Sequence, residues 1–190
     1  MRVKDERKIE VIYQATLQLT QEVGIAGITV AKIAKQANLA TGTVYIYFKN
    51  KEELINQLYL HLKQQTAQDL FQGVDLQAPF KVCFKKLWTN ALQNKLQHFK
   101  ESVFMEQYYH SPYITAETRQ TVTSQMIPFM ELLERGKQEL VIKLIDNTLL
   151  VAITHGFIRQ LSYAHLEHKL VLSQDIIETA FQMNWDALKA

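Results

Sequence analysis

Hydroxyl-bearing side chains recur at every second position between residues 41 and 47. They belong to Thr41, Thr43, Tyr45 and Tyr47, and the segment contains no carboxylate. Hydroxyl groups meet both base edges and phosphate oxygens, and a small polar helix without negative charge fits the major groove of DNA. These residue types at this spacing therefore predict contact with DNA.

Signals of enzyme chemistry are weak by comparison. His165 and His168 have helical spacing, but the chain has no His-Glu-x-x-His pair, no second cysteine and no Gly-rich phosphate loop. The single cysteine, Cys83, is interpreted as a small buried apolar residue. We therefore expect no enzymatic activity, no cofactor and no metal site.

The net charge of +2 is unevenly distributed along the chain. Residues 1–51 hold 8 Lys and Arg residues against 4 Asp and Glu residues, whereas the remainder holds 13 against 15. Localised positive charge at the N-terminal end favours a polyanionic partner there.

Short helices must position the hydroxyl-bearing segment. Apolar residues at helical spacing predict a first helix over residues 4–23, and Gly24 is expected to end it. Thr29 is a good N-cap for a second helix over residues 30–36, because its hydroxyl can accept from a free amide of the first turn.

A tight turn is expected to lead from the second helix into the third. Asn38 supplies a residue that tolerates the left-handed conformation such a turn requires. The third helix is predicted over residues 41–47. Asn50 then caps a fourth helix over residues 51–71, and Glu53 completes a capping box.

The remainder of the chain also has a helical pattern. Only 6 Gly and 3 Pro residues occur, and no run of alternating apolar residues stands out, so an all-α fold is expected. Pro128 should kink the helix that contains it. The predicted ranges are 79–97, 99–110, 116–136, 146–168 and 173–188.

The helical pattern breaks over residues 73–79, so a domain boundary is expected either there or near residues 46–50. We assign residues 1–50 to a helix-turn-helix DNA-binding domain and residues 51–190 to a C-terminal helical domain. No span of about 20 apolar residues occurs, and neither does an apolar stretch of signal-peptide length. We therefore expect a cytoplasmic protein that does not contact a membrane.

The stretch from about residue 9 to residue 58 resembles the N-terminal domain of TetR-family transcriptional repressors. Two positions depart from the family pattern: Asn38 replaces a turn glycine, and Ala40 replaces a serine that would cap the third helix. Thr41 is an alternative cap, which would shorten that helix. The matching residues are Gly24, Thr29, Ile33-Ala34, Gly42-Thr43-Val44-Tyr45-Ile46-Tyr47-Phe48, Lys51 and Leu54.

The resemblance implies a three-helix DNA-binding domain followed by a larger helical domain for effector binding and dimerisation. It implies a homodimer that binds a palindromic operator in double-stranded DNA and is released by a small, mainly apolar effector. A repressor is expected, although an activator has the same fold. The residues expected to contact DNA are Thr29, Lys32, Thr41, Gly42, Thr43, Tyr45, Tyr47 and Lys51.

Each of these residues also has a structural interpretation. Tyr45 and Tyr47 could be ordinary surface or interhelical tyrosines, and Lys32 could be a solvated lysine. The alternative function for the whole chain is a helical protein–protein interaction module that does not bind DNA.

Seven aromatic residues fall between residues 84 and 113. They either fill a helical core or line an apolar cavity of the kind that binds small molecules. The resemblance favours a cavity, because the C-terminal domain of the family usually holds an inducer pocket. The candidate ligand-binding residues are Trp88, Phe104, Tyr108, Met126, Met130 and Phe157.

The last two predicted helices have apolar residues every three or four positions. Two such helices from each subunit would form a four-helix interface between protomers, and burial within one chain is the alternative. The candidate interface residues are Leu150, Ile153, Phe157, Leu161, Ala164, Ile177, Ala180, Phe181 and Leu188.

Overall fold

The computed structural model describes residues 5–190, and these form ten α-helices with no β-strand. The predicted start of the first helix at residue 4 lies outside the described residues. No helix within residues 5–190 combines the length and apolar character needed to cross a bilayer. The helices are α1 (Glu6–Gly27), α2 (Val30–Gln36), α3 (Thr41–Tyr47), α4 (Lys51–Phe71), α5 (Phe80–Gln97), α6 (Phe99–Tyr109), α7 (Ala116–Gln125), α8 (Ile127–Gln138), α9 (Asn147–Leu166) and α10 (Gln174–Leu188).

The chain divides into two compact units. Unit 1 consists of the described residues up to Gln65 together with His98–Thr123. Unit 2 consists of Thr66–Gln97 and Ser124–Ala190. The chain passes from unit 1 to unit 2 within α4, returns to unit 1 before α6, and enters unit 2 again near the end of α7.

The first helix bends where the sequence predicts that it stops. Gly24 has φ 67° and ψ 164°, so the regular helix is interrupted there and one further turn reaches Gly27. The positive φ explains the glycine, because a side chain would be strained in this conformation. The amide of Ile25, displaced from the helical pattern, donates instead to the side-chain oxygen of Gln107 at 2.9 Å.

The turn between α2 and α3 uses the predicted residues. The Thr29 hydroxyl accepts from the amide of Lys32 at 3.2 Å and so caps α2. Asn38 has φ 54°, which confirms its left-handed conformation. Helix α3 nevertheless begins after Ala40, which makes no side-chain cap. The alternative in which Thr41 caps a shorter helix is therefore not adopted.

Asn50 caps the N-terminus of α4, as predicted. The Asn50 side chain accepts from the amide of Glu53 at 2.8 Å. The Glu53 carboxylate reaches back to the amide of Lys49 at 2.5 Å, one residue before the N-cap. The bond from Glu53 satisfies an amide that the first turn leaves without a helical partner, and the bond from Lys49 ties the preceding residue to the helix.

The core of unit 1 is built around the helix-turn-helix. Val44 of α3 and Ile33 of α2 are fully buried there, and Ala34 is small enough for the two helices to approach each other closely. Helix α6 packs along α1 and adds Phe104 and Tyr108 to the same core. The inward-facing apolar residues of α2 and α3 are therefore covered within unit 1 itself.

Pairs of aromatic rings from α5 and α10 pack against each other in the core of unit 2. The ring centroids of Phe80 and Trp185 lie 6.1 Å apart, and those of Trp88 and Phe181 lie 5.6 Å apart. These pairings run in opposite sequence directions, so the two helices are antiparallel. Gly136 of α8 lies directly against the Phe80 ring, where a Cβ would come within 2.4 Å of a ring carbon.

The predicted kinked helix over residues 116–136 is in fact two helices. Helix α7 ends at Gln125 and α8 begins at Ile127, with Pro128 in its first turn. Proline lacks an amide donor and clashes with the preceding turn, so it is tolerated at a helix start better than inside one.

Candidate nucleic-acid interface

One face of α3 is open to solvent, and the opposite face is anchored in the core of unit 1. Tyr45 is 53% exposed and Ile46 is 61% exposed, whereas Val44 is fully buried. A Cβ at Gly42 would meet no atom within 4 Å. Because Gly42 lies three and four residues before Tyr45 and Ile46, all three share the open face.

The polar candidates of α3 lie at the edge of this open face. Thr41 is exposed and Thr43 is partly exposed. The amide of Thr43 bonds to the carbonyl of Ala40 at 2.8 Å, which holds the first turn of the helix in place. Helix α3 therefore presents hydroxyl and apolar groups on a backbone that local bonds and Val44 immobilise.

Tyr47 is placed differently from Tyr45. Its side chain is only 8% exposed and belongs to the hydrophobic core of unit 1. This burial favours a packing role for the ring. The expected donation to a phosphate stays a prediction.

Lys32 and Thr29 lie together at the start of α2, and both are exposed. The Lys32 ammonium donates to the carbonyl of Gly27 at 2.9 Å. This contact turns the lysine back toward the end of α1 without neutralising its charge.

Lys51 is partly buried at the start of α4. Its ammonium donates to the Tyr113 hydroxyl at 3.3 Å and lies 4.8 Å from the centre of that ring. A further contact of 3.5 Å joins it to the carbonyl of Ala26. These partners are uncharged, so the positive charge of Lys51 remains available to an anion near the helix start.

Acidic residues are absent from the segment that carries these groups. Between Glu22 and Glu52 the chain holds four lysines and no Asp or Glu. The segment that carries α2 and α3 therefore has a net positive charge, which favours binding to a phosphate backbone.

A polar cluster that the sequence analysis missed supports the base of α4. The Asn56 amide donates to the carbonyl of Tyr113 at 3.1 Å. Its carbonyl accepts from the Thr118 hydroxyl at 3.1 Å and from the Tyr108 hydroxyl. One amide side chain thus joins α4 to α6, to α7 and to the loop between them, and no sequence pattern marks Asn56 for this role.

The six candidate ligand-binding residues are distributed over two cores. Phe104 and Tyr108 lie in the core of unit 1, whereas Trp88 lies in the core of unit 2. Met130 and Phe157 pack against the core of unit 2 and are partly exposed, as is Met126. Their assignment to one ligand site stays a prediction.

Two clefts of about 400 Å³ lie elsewhere. One is in unit 2, along α5, and is lined by Lys81, Lys85 and Lys86 together with Val82 and Thr89. The other is in unit 1, between the bend of α1 and residues 107–113. Neither includes a candidate ligand-binding residue.

The candidate dimer residues separate into buried and partly exposed groups. Leu150, Ala180, Phe181 and Leu188 are at most 5% exposed within a single chain, which matches the alternative of burial inside the monomer. The partly exposed residues, on which the interface prediction now depends, are Ile153, Phe157, Leu161, Ala164 and Ile177.

Family models match both parts of the chain. The model described as bacterial regulatory proteins, tetR family, matches residues 12–58. The model described as tetracyclin repressor-like, C-terminal domain, matches residues 79–189. Together they span the open helix and the aromatic core described above.

Relatives with similar sequences are named as regulators. An uncharacterized HTH-type transcriptional regulator of Haemophilus influenzae is 36% identical over 81 residues, which are 43% of this chain and 43% of that protein. The fatty acid metabolism regulator protein of Bacillus subtilis is 33% identical over 81 residues, 43% and 41% of the two chains. The matches thus span less than half of the length of these relatives.

Solved structures share the fold over the whole chain. A TetR family transcription regulator from Marinobacter aquaeolei VT8 superposes with a TM-score of 0.91 at 25% identity, over 100% of this chain and 99% of that one. The transcriptional regulator FadR of Bacillus subtilis, solved in complex with stearoyl-CoA, has a TM-score of 0.68 at 18% identity over 92% and 96%. With an open, anchored α3 and both family models matched, the chain belongs to the TetR family of bacterial transcriptional regulators.

Proposed function

We propose that this chain is a dimeric, sequence-specific DNA-binding regulator that reads a palindromic operator through α3. The observation that carries the proposal is the open face of α3, which bears Gly42, Tyr45 and Ile46 while Val44 holds the helix to the core. Two such helices, about 34–36 Å apart in a dimer, would enter successive major grooves.

The contacts divide into base-reading and backbone-positioning groups. Thr41, Thr43 and Tyr45 meet bases or the adjacent backbone from α3. Lys32 and Lys51 supply charge toward phosphates, and the lack of acids between residues 22 and 52 supports this role. In this proposal residues 1–50 read DNA, and residues 51–190 hold the dimer and the effector.

A pair of tyrosine variants tests whether the open face of α3 contacts DNA. Tyr45 is 53% exposed on α3, and Tyr109 is 52% exposed at the end of α6. After selection of the operator from random DNA, Tyr45→Ala should weaken its binding at least tenfold, because the lost ring contacts are buried against DNA. Tyr109→Ala should bind like the wild type. Equal affinities of both variants in a fluorescence anisotropy titration would refute the assignment.

Salt dependence separates this function from the alternative interaction module. Neutralisation of phosphates releases counterions, so the DNA affinity should fall steeply as salt rises. A module that binds only proteins would select no DNA sequence from the pool at any salt concentration.

The dimer is proposed to form through α9 and α10. Ala152 and Gly156 are exposed and four residues apart on α9, and a Cβ at Gly156 would meet no atom within 4 Å. Small residues with open space above them allow a second helix to approach closely. The same helices keep Ile153 and Ile177 partly exposed, which gives the contact an apolar part.

A matched charge insertion tests this interface. Ala152→Glu should yield a folded monomer in sedimentation experiments, because it buries an unpaired carboxylate in the contact. Ala116→Glu, at an exposed position in unit 1, should leave the dimer intact. A dimer that persists in Ala152→Glu would place the interface elsewhere.

Effector release follows from linkage between the two binding reactions. A ligand that binds better to a DNA-incompetent arrangement lowers the DNA affinity by the factor by which DNA lowers the ligand affinity. A coupling of about 1–3 kcal/mol corresponds to roughly 5–150-fold. Fatty acids and acyl-CoA thioesters belong in the test set, since one relative is named for fatty acid metabolism.

The test titrates operator-bound protein with these ligands. A true effector should dissociate the complex and also raise the melting temperature of the free protein. A ligand that dissociates the complex without stabilising the free protein does not bind the native protein and acts on the DNA instead.

A further inference from the structure

We infer that Ile46 is a specificity-determining residue that reads the C5-methyl group of a thymine in the operator. The inference rests on the proposed DNA-binding function and adds to it a residue and the base that it recognises. Its starting observation is that Ile46 is 61% exposed, the most exposed large apolar side chain of unit 1 among the described residues.

The position of Ile46 has no structural explanation within unit 1. The core side of α3 is formed by Val44 and Tyr47, and Phe48 follows them into the same core. Ile46 is absent both from that core and from the apolar residues packed against it. A large β-branched side chain exposed on a seven-residue helix contributes little to stability, so a partner is the more economical explanation.

The surroundings of Ile46 allow a close approach. One helical turn earlier is Gly42, where a Cβ would meet no atom within 4 Å. The missing side chain leaves open space one turn from Ile46, and the half-exposed Tyr45 ring lies on the same face. No side chain at Gly42 therefore blocks the approach of a base-pair edge to the Ile46 methyl groups.

The chemistry of the major groove selects one apolar group. Each base edge presents hydrogen-bond donors and acceptors there, and thymine alone adds a methyl group. Ile46 can neither donate nor accept a hydrogen bond. A polar base edge would therefore lose water against it without compensation, whereas a thymine methyl gains from burial.

The charge pattern places this apolar contact within a DNA interface. Helices α2 and α3 contain no acidic residue, and the exposed Lys49 follows α3 directly. Positive charge around an apolar reading group is the arrangement expected for a base contact framed by phosphate contacts. If this face bound a protein, it would be expected to expose more apolar surface than one isoleucine.

The experiment removes the contacting groups from each side: one methyl group from the DNA base, and the Ile46 side chain beyond Cβ from the protein. Operator DNA selected by the wild-type protein is synthesised with deoxyuridine in place of thymine at each position of both half-sites in turn. Uracil retains every hydrogen-bonding group of thymine and lacks only the methyl. Affinities of the wild type and of Ile46→Ala are measured for each DNA by fluorescence anisotropy at constant salt.

Uracil at the contacted thymine of one half-site should weaken wild-type binding about fourfold, which is the expected effect of burying one methyl group. Uracil in both half-sites removes two methyl groups and should weaken binding about fifteenfold. Ile46→Ala should bind thymine and uracil operators equally at that position. Every other thymine should affect both proteins alike, because the coupling is specific to the pair in contact.

Two further variants keep the result interpretable. Val171 is 77% exposed in unit 2, so Val171→Ala is a matched loss of an exposed β-branched residue and should behave as the wild type. Ile46→Leu retains an apolar side chain and should keep part of the thymine preference. Circular dichroism of both Ile46 variants should match that of the wild type, because the side chain is exposed.

The outcomes separate this inference from the proposed function. A wild-type protein that selects no DNA sequence refutes DNA binding itself. A protein that binds its operator but tolerates uracil at every position overturns the reading of a methyl group. If Ile46→Ala keeps the wild-type sensitivity to uracil, another residue reads that methyl, and the assignment to Ile46 is wrong.

Discussion

Unit 1 and unit 2 differ at two asparagines, Asn56, which is partly buried, and Asn184, which is 1% exposed. In unit 1 the amide of Asn56 is hydrogen-bonded at both its nitrogen and its oxygen by three surrounding segments. In unit 2 the side-chain nitrogen and oxygen of Asn184 are buried with no hydrogen-bond partner, and so is the indole nitrogen of Trp88. Within residues 5–190, the buried side-chain nitrogen and oxygen atoms that we find without a hydrogen-bond partner all belong to unit 2.

The difference indicates how each unit is specified. A satisfied polar cluster stabilises one arrangement of α4, α6 and α7, because any shift leaves a buried group unpaired. An aromatic core with unpaired polar atoms carries a cost that packing must offset. The junction of α4, α6 and α7 is therefore held by hydrogen bonds, whereas unit 2 combines hydrogen-bonded amides such as Asn90 with buried polar atoms that packing must offset.

Substitution of Asn56 by leucine should have the largest effect on this comparison. The loss leaves the carbonyl of Tyr113 and the hydroxyl of Tyr108 with poorer partners, so we expect a loss of about 2–4 kcal/mol in the free energy of unfolding. Urea denaturation measures it. The neighbouring, exposed Gln57→Leu serves as control and should change stability by less than about 0.5 kcal/mol.

Packing in unit 2 should be nearly as sensitive at Gly136. A methyl group there would overlap the Phe80 ring, and overpacking of this kind costs about 1–3 kcal/mol. Because both tryptophans lie in unit 2, their fluorescence reports its unfolding directly. In the double variant Gly136→Ala, Phe80→Leu the two losses should be less than additive. Strict additivity would contradict the proposed clash.

Substitution of asparagine by leucine should raise the free energy of unfolding at Asn184, whereas at Asn56 it should lower it. Asn184→Leu replaces an unpaired amide with an apolar group of similar size, and we expect a gain of about 1–2 kcal/mol. The melting temperature of the variant, followed by tryptophan fluorescence, should rise. A fall would mean that the Asn184 amide binds a group such as an ordered water, and the contrast between the units would weaken.

Alkaline pH should lower the free energy of unfolding mainly through unit 1. Under physiological conditions this is the smallest of the predicted effects. Burial raises the pKa of Tyr13 and of Tyr59 to about 12, and seven of the eight tyrosines lie in unit 1. A pKa above the unfolded value near 10 means that folding favours the neutral phenol. The contribution is complete below pH 10 and is lost as pH rises toward 12.

Denaturation in buffers across this pH range measures the loss. Tyr59→Phe removes one titrating group and should flatten the pH dependence, although it changes the absolute stability as well. A pH dependence that stays unchanged in Tyr59→Phe would show that folding does not shift the pKa of this phenol.

Local signals made the helix-turn-helix predictable. Thr29, Asn38 and Asn50 each act on amides or dihedral angles within a few residues, so their effect does not depend on the rest of the fold. The ranges predicted for α2 and α3 match the structure. The hydrogen bond of Glu53 was less predictable. A capping box predicts that its carboxylate accepts from the amide of Asn50, but it accepts from the adjacent amide of Lys49.

Contacts between distant segments were not predictable in the same way. The aromatic stripe between residues 84 and 113 indicated apolar surfaces but not their partners, and the structure sends Trp88 and Phe104 into different cores. Leu150 and Phe181 have the spacing of an interface, yet they are buried in one chain. Periodicity marks the side of a helix that is apolar, and that side can meet a partner chain or the same chain equally well.

The amino-acid sequence by itself determined where α2 and α3 begin and end, the positive charge of the segment that contains them, and the family. Caps, turn residues and charges act through the nearest few bonds, which is why one sequence suffices to recognise them. Only the tertiary structure decided that Tyr47 is buried while Ile46 is exposed, and that Asn56 joins three segments. Those outcomes depend on which surfaces meet across long stretches of chain, a choice made by the packing of the whole unit.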